Sequence, residues 1–537
     1  MSYRPWVQTR ALPAEVLVVL VLVMGVAYVA WAPSVPDLAA QVARANLVRS
    51  DGVTSWWTGW FGGLSLPSYS VLVPSSMAAI GVRATGLLGV LFGALGAGRL
   101  VGGSIRPRAG AIVFAVAQMA DLLDGRVTFC VGLAVGVWAL QAVRSQRIVL
   151  GVVLAVGCYF ASPLAGLFLG FVMVAVVAVF PLARWSAAAA GLALLLTGAV
   201  MALLFPGTGV MPFTWLDATP AVLCACGVML ACRQVTVRIV AGLVIVSALA
   251  LLAVPSAVGD NITRLAWVCA VPIVVAYSRL SLTKLIPVIL GLALWPVGDL
   301  VGQLGAGSTA SASRAFYEPV QAEISALRSR AGSSVVGERV EVVDTANHWG
   351  SVYLSSLSLA RGWDRQADVI DNPIFYQNGA LSAATYRGWL RQLAVGWVAI
   401  PNASLDYAAV AEATLVRAGL PYLQRVWTNA DWRVYRVVAA SPLATGARVE
   451  LVDSAGIVLD TTGASSVMLK TRWSAYLKVE DVVHHRVVPA CITDDSGWVG
   501  LRIPRAESVF VTSQFSPAAR VQHPDPDCVA DLSGDTQ

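Results

Sequence analysis

Eleven apolar stretches fill the first three hundred residues of this chain, running roughly 14–31, 84–101, 109–124, 127–143, 148–161, 163–183, 186–205, 219–232, 237–255, 264–278 and 285–303. A stretch of about 18 to 20 apolar residues is long enough to cross the hydrocarbon of a bilayer as a helix. Inside that hydrocarbon every peptide group must be satisfied by its own segment, which leaves the α-helix as the form for such runs. The chain is 57% hydrophobic and only 13% charged, about half the charge of an average soluble domain. A polytopic α-helical membrane domain is therefore expected over 1–305. The first stretch, Ala14 to Trp31, has no small-residue cleavage site before Pro33 and is read as a signal anchor.

Charge divides the chain at the same place. Residues 1–305 carry a net +9 and residues 306–537 a net −3. On one side the connections hold Arg4, Arg10, Arg99, Arg106, Arg108, Arg144, Arg147, Arg184, Arg233, Arg238, Arg279 and Lys284, which marks that side as cytoplasmic. An odd number of spans then puts 306–537 outside, on a multi-pass protein of the cytoplasmic membrane. Seven of the eight acids of the membrane part (Asp37, Asp51, Asp121, Asp124, Asp217, Asp260 and Asp299) fall at outer ends or in outer loops, with Glu15 alone inside. Two readings fit: outer loops tolerate acids, or a polar site lies at the outer surface. Arg44, Arg49, Arg83, Arg126 and Arg264 break the charge bias near outer ends, and a guanidinium there can hold a phosphate through paired hydrogen bonds.

The longest connection, residues 32–83, is too long for an ordinary link between helices and reads as an active-site loop. Residues Asp37 to Val48 space apolar and charged positions as a helix lying on the membrane surface would. The run Trp56-Trp57-Thr58-Gly59-Trp60-Phe61, followed by Tyr69, is expected at the lipid headgroups, where such rings concentrate. Asp37, just after the first span, can act as a general base toward an acceptor hydroxyl while arginines neutralise a leaving phosphate. It can equally cap the helix beginning at Leu38. Asp121 and Asp124, three apart, can share a helix face and hold a divalent cation such as Mg or Ca, or pair with Arg126.

After a Gly/Ser/Ala linker, residues 306–440 alternate helical stretches with short β-like runs, the pattern of a small α/β domain. From 441 to 537 strand-like alternation between turn residues predicts a β-sandwich with an acidic tail. Six cysteines (Cys130, Cys158, Cys224, Cys226, Cys232 and Cys269) lie in apolar stretches and read as packing residues. Cys491 and Cys528 lie in the outer part and are expected to form a disulfide. Here Asn347-His348-Trp349 and Arg361-Gly362-Trp363-Asp364-Arg365 combine flat rings with polar donors, a surface suited to sugars or the closure of a small core. The outer part is slightly acidic, which argues against nucleic acid as a partner. No phosphate-binding loop, dinucleotide fingerprint or zinc motif occurs.

Several runs carry a family resemblance: Pro36-Asp37-Leu38-Ala39-Ala40-Gln41-Val42, Trp60-Phe61-Gly62-Gly63 with Pro67-Ser68-Tyr69-Ser70, Gly125-Arg126-Val127-Thr128-Phe129, Ala161-Ser162-Pro163-Leu164-Ala165-Gly166 and Asn261-Ile262-Thr263-Arg264-Leu265. With His348-Trp349, Leu359 to Gln366 and Asn372 to Tyr376, they resemble an actinobacterial group of polytopic proteins similar to the GT-C glycosyltransferases. The resemblance covers nearly the whole chain. It implies a GT-C fold and transfer of a sugar from a polyprenyl-phosphate donor to an envelope polysaccharide or glycolipid acceptor at the outer face of the membrane. The wider superfamily uses an acid in the first outer loop, often in an Asp-x-Asp or Glu-x-Asp pair. In this chain Asp37 and Asp51 are the loop's acids and stand apart. The site set that follows is Asp37 and Asp51 for catalysis, Arg44, Arg49, Arg126 and Arg264 for the donor phosphate, and Trp60, Tyr69, His348, Trp349, Arg361 and Trp363 for sugar. A non-catalytic glycan-binding scaffold and a lipid-sugar flippase are the competing classes; a flippase would be expected to show repeat symmetry and broken helices at mid-membrane.

Overall fold

A computed structural model describes residues 12–206, 209–488 and 490–517. The chain divides into two compact units, the first holding residues up to Ala45 and Ser68–Ser308, the second Asn46–Pro67 and Thr309 onward.

The first unit is helical. Its elements are α1 (Ala14–Trp31), α2 (Pro36–Asp51, which runs on into the second unit), α3 (Val73–Ile80), α4 (Val82–Leu100), α5 (Pro107–Leu123), α6 (Val127–Arg144), α7 (Ile148–Ala161), α8 (Pro163–Val179), α9 (Arg184–Leu204), α10 (Trp215–Ala231), α11 (Val235–Ala253), α12 (Thr263–Tyr277) and α13 (Leu282–Gly307). Each of the eleven apolar stretches carries one of these helices. Among the described residues, seven helices are long and apolar enough to cross a membrane. Small residues set the packing at the centre. A side chain at Gly89 of α4 would meet the backbone of Cys130 on α6 at 3.2 Å, so the two helices approach closely. Gln118 of α5 donates to the carbonyls of Gly89 and Cys130, both at 3.2 Å, and ties the three helices together where no water can. Phe129, Phe168 and Trp267 fill the core beside them. On the outside, Leu195, Leu203 and Leu294 are bare, a surface suited to lipid chains rather than water.

Helix α2 departs from the sequence reading. It forms where expected, yet Leu38, Ala39, Ala40, Gln41, Ala43, Arg44 and Ala45 are all buried, so it is a packed helix and not one lying on a membrane surface. Its four alanines let protein close around it on every side.

In the second unit α14 (Arg314–Ala331) precedes a four-stranded sheet of order β1-β2-β4-β3, built from β1 (Arg339–Val342), β2 (Val395–Pro401), β3 (Leu423–Thr428) and β4 (Trp432–Val437). Strands β1 and β2 are parallel; β4 is antiparallel to β2 and to β3. The crossover from β1 to β2 carries α15 (Gly350–Tyr353), α16 (Arg365–Asp371) and α17 (Ala383–Gln392), and α18 (Val410–Arg417) follows β2. Val395–Pro401 is buried at every position, as a central strand covered on both faces must be.

The remaining strands, β5 (Ala444–Thr445), β6 (Arg448–Val452), β7 (Ile457–Thr461), β8 (Ser465–Arg472), β9 (Leu477–Asp481), β10 (Cys491–Asp495), β11 (Trp498–Ile503) and β12 (Glu507–Ser513), form two four-stranded sheets of order β10-β11-β8-β5 and β6-β7-β12-β9. Alternate residues of both, among them Val467, Leu469, Val499 and Leu501 against Leu459, Val479, Val509 and Val511, build one core, which makes this the expected sandwich. The six cysteines of the helical unit are free thiols, and Cys528, the expected partner of Cys491, lies outside the described residues.

The aromatic run of the long loop belongs to this second unit and is not a headgroup anchor. Trp57, Trp60 and Phe61 are 3%, 0% and 0% exposed. A side chain at Gly362 would strike the Trp60 ring at 2.1 Å. Arg472 fixes the turn by donating from its backbone to Gly62 and from Nε to Phe61, both at 2.8 Å. The rings are consumed in closing a core, and Trp60 has no face left for a sugar.

Candidate active site

At one end of the helical unit, five elements bring charges together. Pro36 opens α2, a position where its missing N–H costs nothing, and Asp37 falls inside the first turn rather than ahead of it. The turn between α5 and α6 is Asp124-Gly125-Arg126. Gly125 has φ +85°, and a side chain there would meet the Leu38 backbone nitrogen at 2.5 Å, so the start of α2 is pressed onto this turn. Arg264 comes from the first turn of α12 and Asp299 from α13.

Arg126 is the centre. It lies 2.6 Å from Asp124, 3.2 Å from Asp299 and 3.6 Å from both Asp37 and Asp121. Its guanidinium also sits 5.2 Å from the Trp267 ring centre. Asp121 is fully buried and accepts from the Cys130 thiol at 3.2 Å. Asp121 and Asp124 thus act as buried counterions, and the contact anchoring Arg126 is the short one to Asp124. The acids that reach solvent are Asp37, 30% exposed, and Asp299, 28% exposed. Arg264 approaches Asp37 at 3.4 Å and is itself 19% exposed. Two longer ion contacts orient the Asp37 carboxylate without filling its lone pairs.

Four carboxylates face two guanidiniums here, a formal excess of negative charge. Even so, among the described residues no group of three or more His, Cys, Asp or Glu side chains is placed to hold a metal ion. Asp121 and Asp124, the pair considered for a cation, are turned onto Arg126.

The other expected site residues are distributed as follows. Arg44 is buried with its guanidinium 3.9 Å from the Tyr69 ring centre, and the Tyr69 hydroxyl accepts from Gln41 at 2.7 Å, so these three brace α2. Asp51 and Arg49 belong to the second unit. Asp51 accepts from the hydroxyls of Ser50 and Ser454, and Arg49 donates to Asn46 at 2.8 Å. The residues missed in the sequence are Asp299 and Trp267. A carboxylate inside the apolar run 285–303 was the available signal for Asp299, and Trp267 stands three residues after Arg264, on the same helix face.

The second unit holds its own charge network. Arg361 makes a paired contact with Asp368 at 3.1 and 2.6 Å and reaches Glu412 at 3.3 Å and Glu341 at 3.6 Å. Burial alone would raise Asp368, but Arg361 and hydrogen bonds from Tyr376 and Asn372 outweigh it and hold this carboxyl below its ordinary range. Burial pushes Glu412 up to about 7 against the pull of Arg361. Burial, and then the neighbouring Glu412, push Glu341 well above the usual carboxylate range. Three acids share one arginine, so the cluster retains a proton near neutrality. Trp349 is 5% exposed and stacks on Tyr353, while His348 is 3% exposed. Of the four outer residues expected to touch sugar, only Trp363 is partly open to solvent.

No protein-family model and no curated protein matches the chain. Two solved structures are similar to it, both cryo-EM classes of a variant of the arabinofuranosyltransferase AftD from mycobacteria. They cover 95% of this chain at 13% identity with TM-scores of 0.44 and 0.41, and the chain spans 60% of the length of each.

Proposed function

We propose that this chain is a membrane glycosyltransferase of the GT-C type, moving a sugar from a polyprenyl-phosphate donor to an envelope glycan or glycolipid acceptor at the outer membrane surface. The supporting observation is Asp37: a solvent-reaching carboxylate at the start of α2, held 3.4 Å from Arg264 and 3.6 Å from Arg126 at one end of the helices. In this reading Asp37 takes the proton of the acceptor hydroxyl as its oxygen bonds to the anomeric carbon. The bond from that carbon to the phosphate oxygen breaks, and polyprenyl phosphate leaves. Arg264 carries the phosphate charge, since Arg126 is committed to Asp124 and serves to aim Asp37. Asp299 is the remaining open carboxylate beside it.

The test is transfer from labelled polyprenyl-phosphate sugars by the purified protein. Asp37→Asn keeps size and hydrogen bonding but cannot accept the proton, so turnover should fall by about 10²–10⁴-fold with donor binding and melting temperature retained. Arg264→Ala should raise the KM for donor. Full turnover in Asp37→Asn sinks the assignment and moves the base to Asp299.

A further inference from the structure

Outside the charge cluster, the second unit builds a ladder of flat groups. His348, held at φ +60°, stacks on Trp363 with ring centres 3.4 Å apart and planes 10° from parallel. The Arg365 guanidinium lies 5.0 Å from the Trp363 ring centre, 5.7 Å from that of Tyr376 and 4.6 Å from that of Tyr407. Three of the rungs are held by polar contacts. Asp406 grips Arg365 at 3.0 and 2.6 Å, the Tyr376 hydroxyl accepts from the same arginine at 2.9 Å, and Asp344 holds the His348 ring at 2.5 Å. The ladder ends in solvent: Tyr407 is 63% exposed although the guanidinium covers part of it. The backbone N–H of Asp406 donates to the carbonyl of Asp344 at 3.1 Å, which places Asp344 beside the start of the Tyr407 turn. The Asp344 side chain is 25% exposed.

We propose that the outer face of Tyr407, with Asp344 and the edge of Trp363, is a platform for an uncharged sugar residue of a glycan chain. A pyranose or furanose ring presents a face of C–H bonds that stacks on an aromatic ring and a rim of hydroxyls that donate to carboxylates; Tyr407 offers the first chemistry, and Asp344, tied to the start of its turn through the Asp406 backbone, offers the second. The arginine behind the ring is already neutralised by Asp406, so the site favours a neutral ligand over an anionic one. A ring locked from behind loses little freedom on binding, which favours weak ligands such as single sugar units. The identity of this ligand as acceptor glycan rests on the glycosyl-transfer reading; the platform itself does not.

The experiment is binding of neutral hexasaccharides of gluco, manno, galacto and arabino configuration to the detergent-solubilised full chain, followed by calorimetry and saturation-transfer NMR. At least one should bind to the wild type. Tyr407→Ala should weaken it about tenfold or more, as loss of an aromatic anchor does, whereas Tyr407→Phe should bind within about twofold of wild type because the stacking face remains. Asp344→Asn should weaken it less than Tyr407→Ala. Should Tyr407→Ala fail to fold, Tyr407→Leu keeps the bulk and removes the ring. Asp37→Asn should bind the hexasaccharide as the wild type does, so loss of transfer and loss of the platform register in different assays. A wild type that binds none of the four, or a folded Tyr407→Ala or Tyr407→Leu that binds normally, overturns the proposal.

Discussion

At Gly125 one missing side chain determines where a charge can sit. Its φ of +85° is a conformation that costs an L-residue about 1–2 kcal/mol, and the added carbon would meet the Leu38 backbone nitrogen at 2.5 Å. Backbone cannot rotate away as a flexible side chain can, so Gly125→Ala must push back the first turn of α2 and carry Asp37 with it. We predict a lower melting temperature in detergent and a loss of transfer larger than the loss of stability explains. A variant with wild-type melting and turnover would show that the turn does not position Asp37. At this scale the sequence was legible for charge and illegible for partners. Asp37, Arg126 and Arg264 stood out as polar groups beside apolar runs, but their meeting depends on residues 37, 126, 264 and 299, which no local spacing relates. Trp60 shows the same limit: its ring reads as an interfacial anchor until Gly362, three hundred residues on, is found against it.

Among the elements, the Arg361 cluster joins β1, α16 and α18 through Glu341, Asp368 and Glu412 and makes the stability of the second unit depend on pH. Glu412 is raised by burial to about 7 in the folded state, so its contribution is fully present below its unfolded value near 4.3 and is lost as pH rises through 7. Glu341, raised first by burial and then by Glu412, acts in the same direction. Asp368 acts in the opposite direction: held low by Arg361 against burial, it stabilises above its unfolded value and the effect is lost on acidification. Thermal unfolding should therefore show a maximum in mildly acidic buffer. Glu412→Gln should flatten the alkaline side by on the order of 1–3 kcal/mol between pH 5 and 8 while leaving the acid side in place. An alkaline slope identical to wild type would mean that Glu412 is ionised throughout. Periodicity announces β1, β2 and β4 and, among the helices of this unit, α14, α17 and α18, since those patterns are local; it passes over the short α15 and α16. It misses β3, β5, β7 and β10, whose Leu423–Thr428, Ala444–Thr445, Ile457–Thr461 and Cys491–Asp495 runs are too short or too polar to stand out from turns. It also gave α2 to the membrane surface, because a mean pattern of alanines and charges does not reveal that protein covers both faces.

For the whole molecule the open quantity is orientation. The helices carried by the eleven apolar stretches are odd in number, so a chain in which all cross would have its ends on opposite sides. Arginines gather at one set of connections, and the positive-inside rule puts those in the cytoplasm. The second unit would then stand outside, on the side of the proposed acceptor. Two exposed positions test this. Gly388 lies on α17 with nothing within 4 Å of an added side chain, and Ser145 is exposed in the connection between α6 and α7, beside Arg144 and Arg147. In spheroplasts treated with a membrane-impermeant maleimide, Gly388→Cys should label above the wild-type background and Ser145→Cys should label only after the membrane is opened. Five of the six native thiols of the helical unit lie in apolar helices and the sixth, Cys232, is buried just past the end of α10, so that background should be low. Labelling of Ser145→Cys in sealed spheroplasts with protection of Gly388→Cys would invert the molecule and place Asp37 and Arg264 on the cytoplasmic side. A donor delivered at the outer surface could not reach them there, so this labelling result bears on the proposed chemistry as directly as the Asp37→Asn assay.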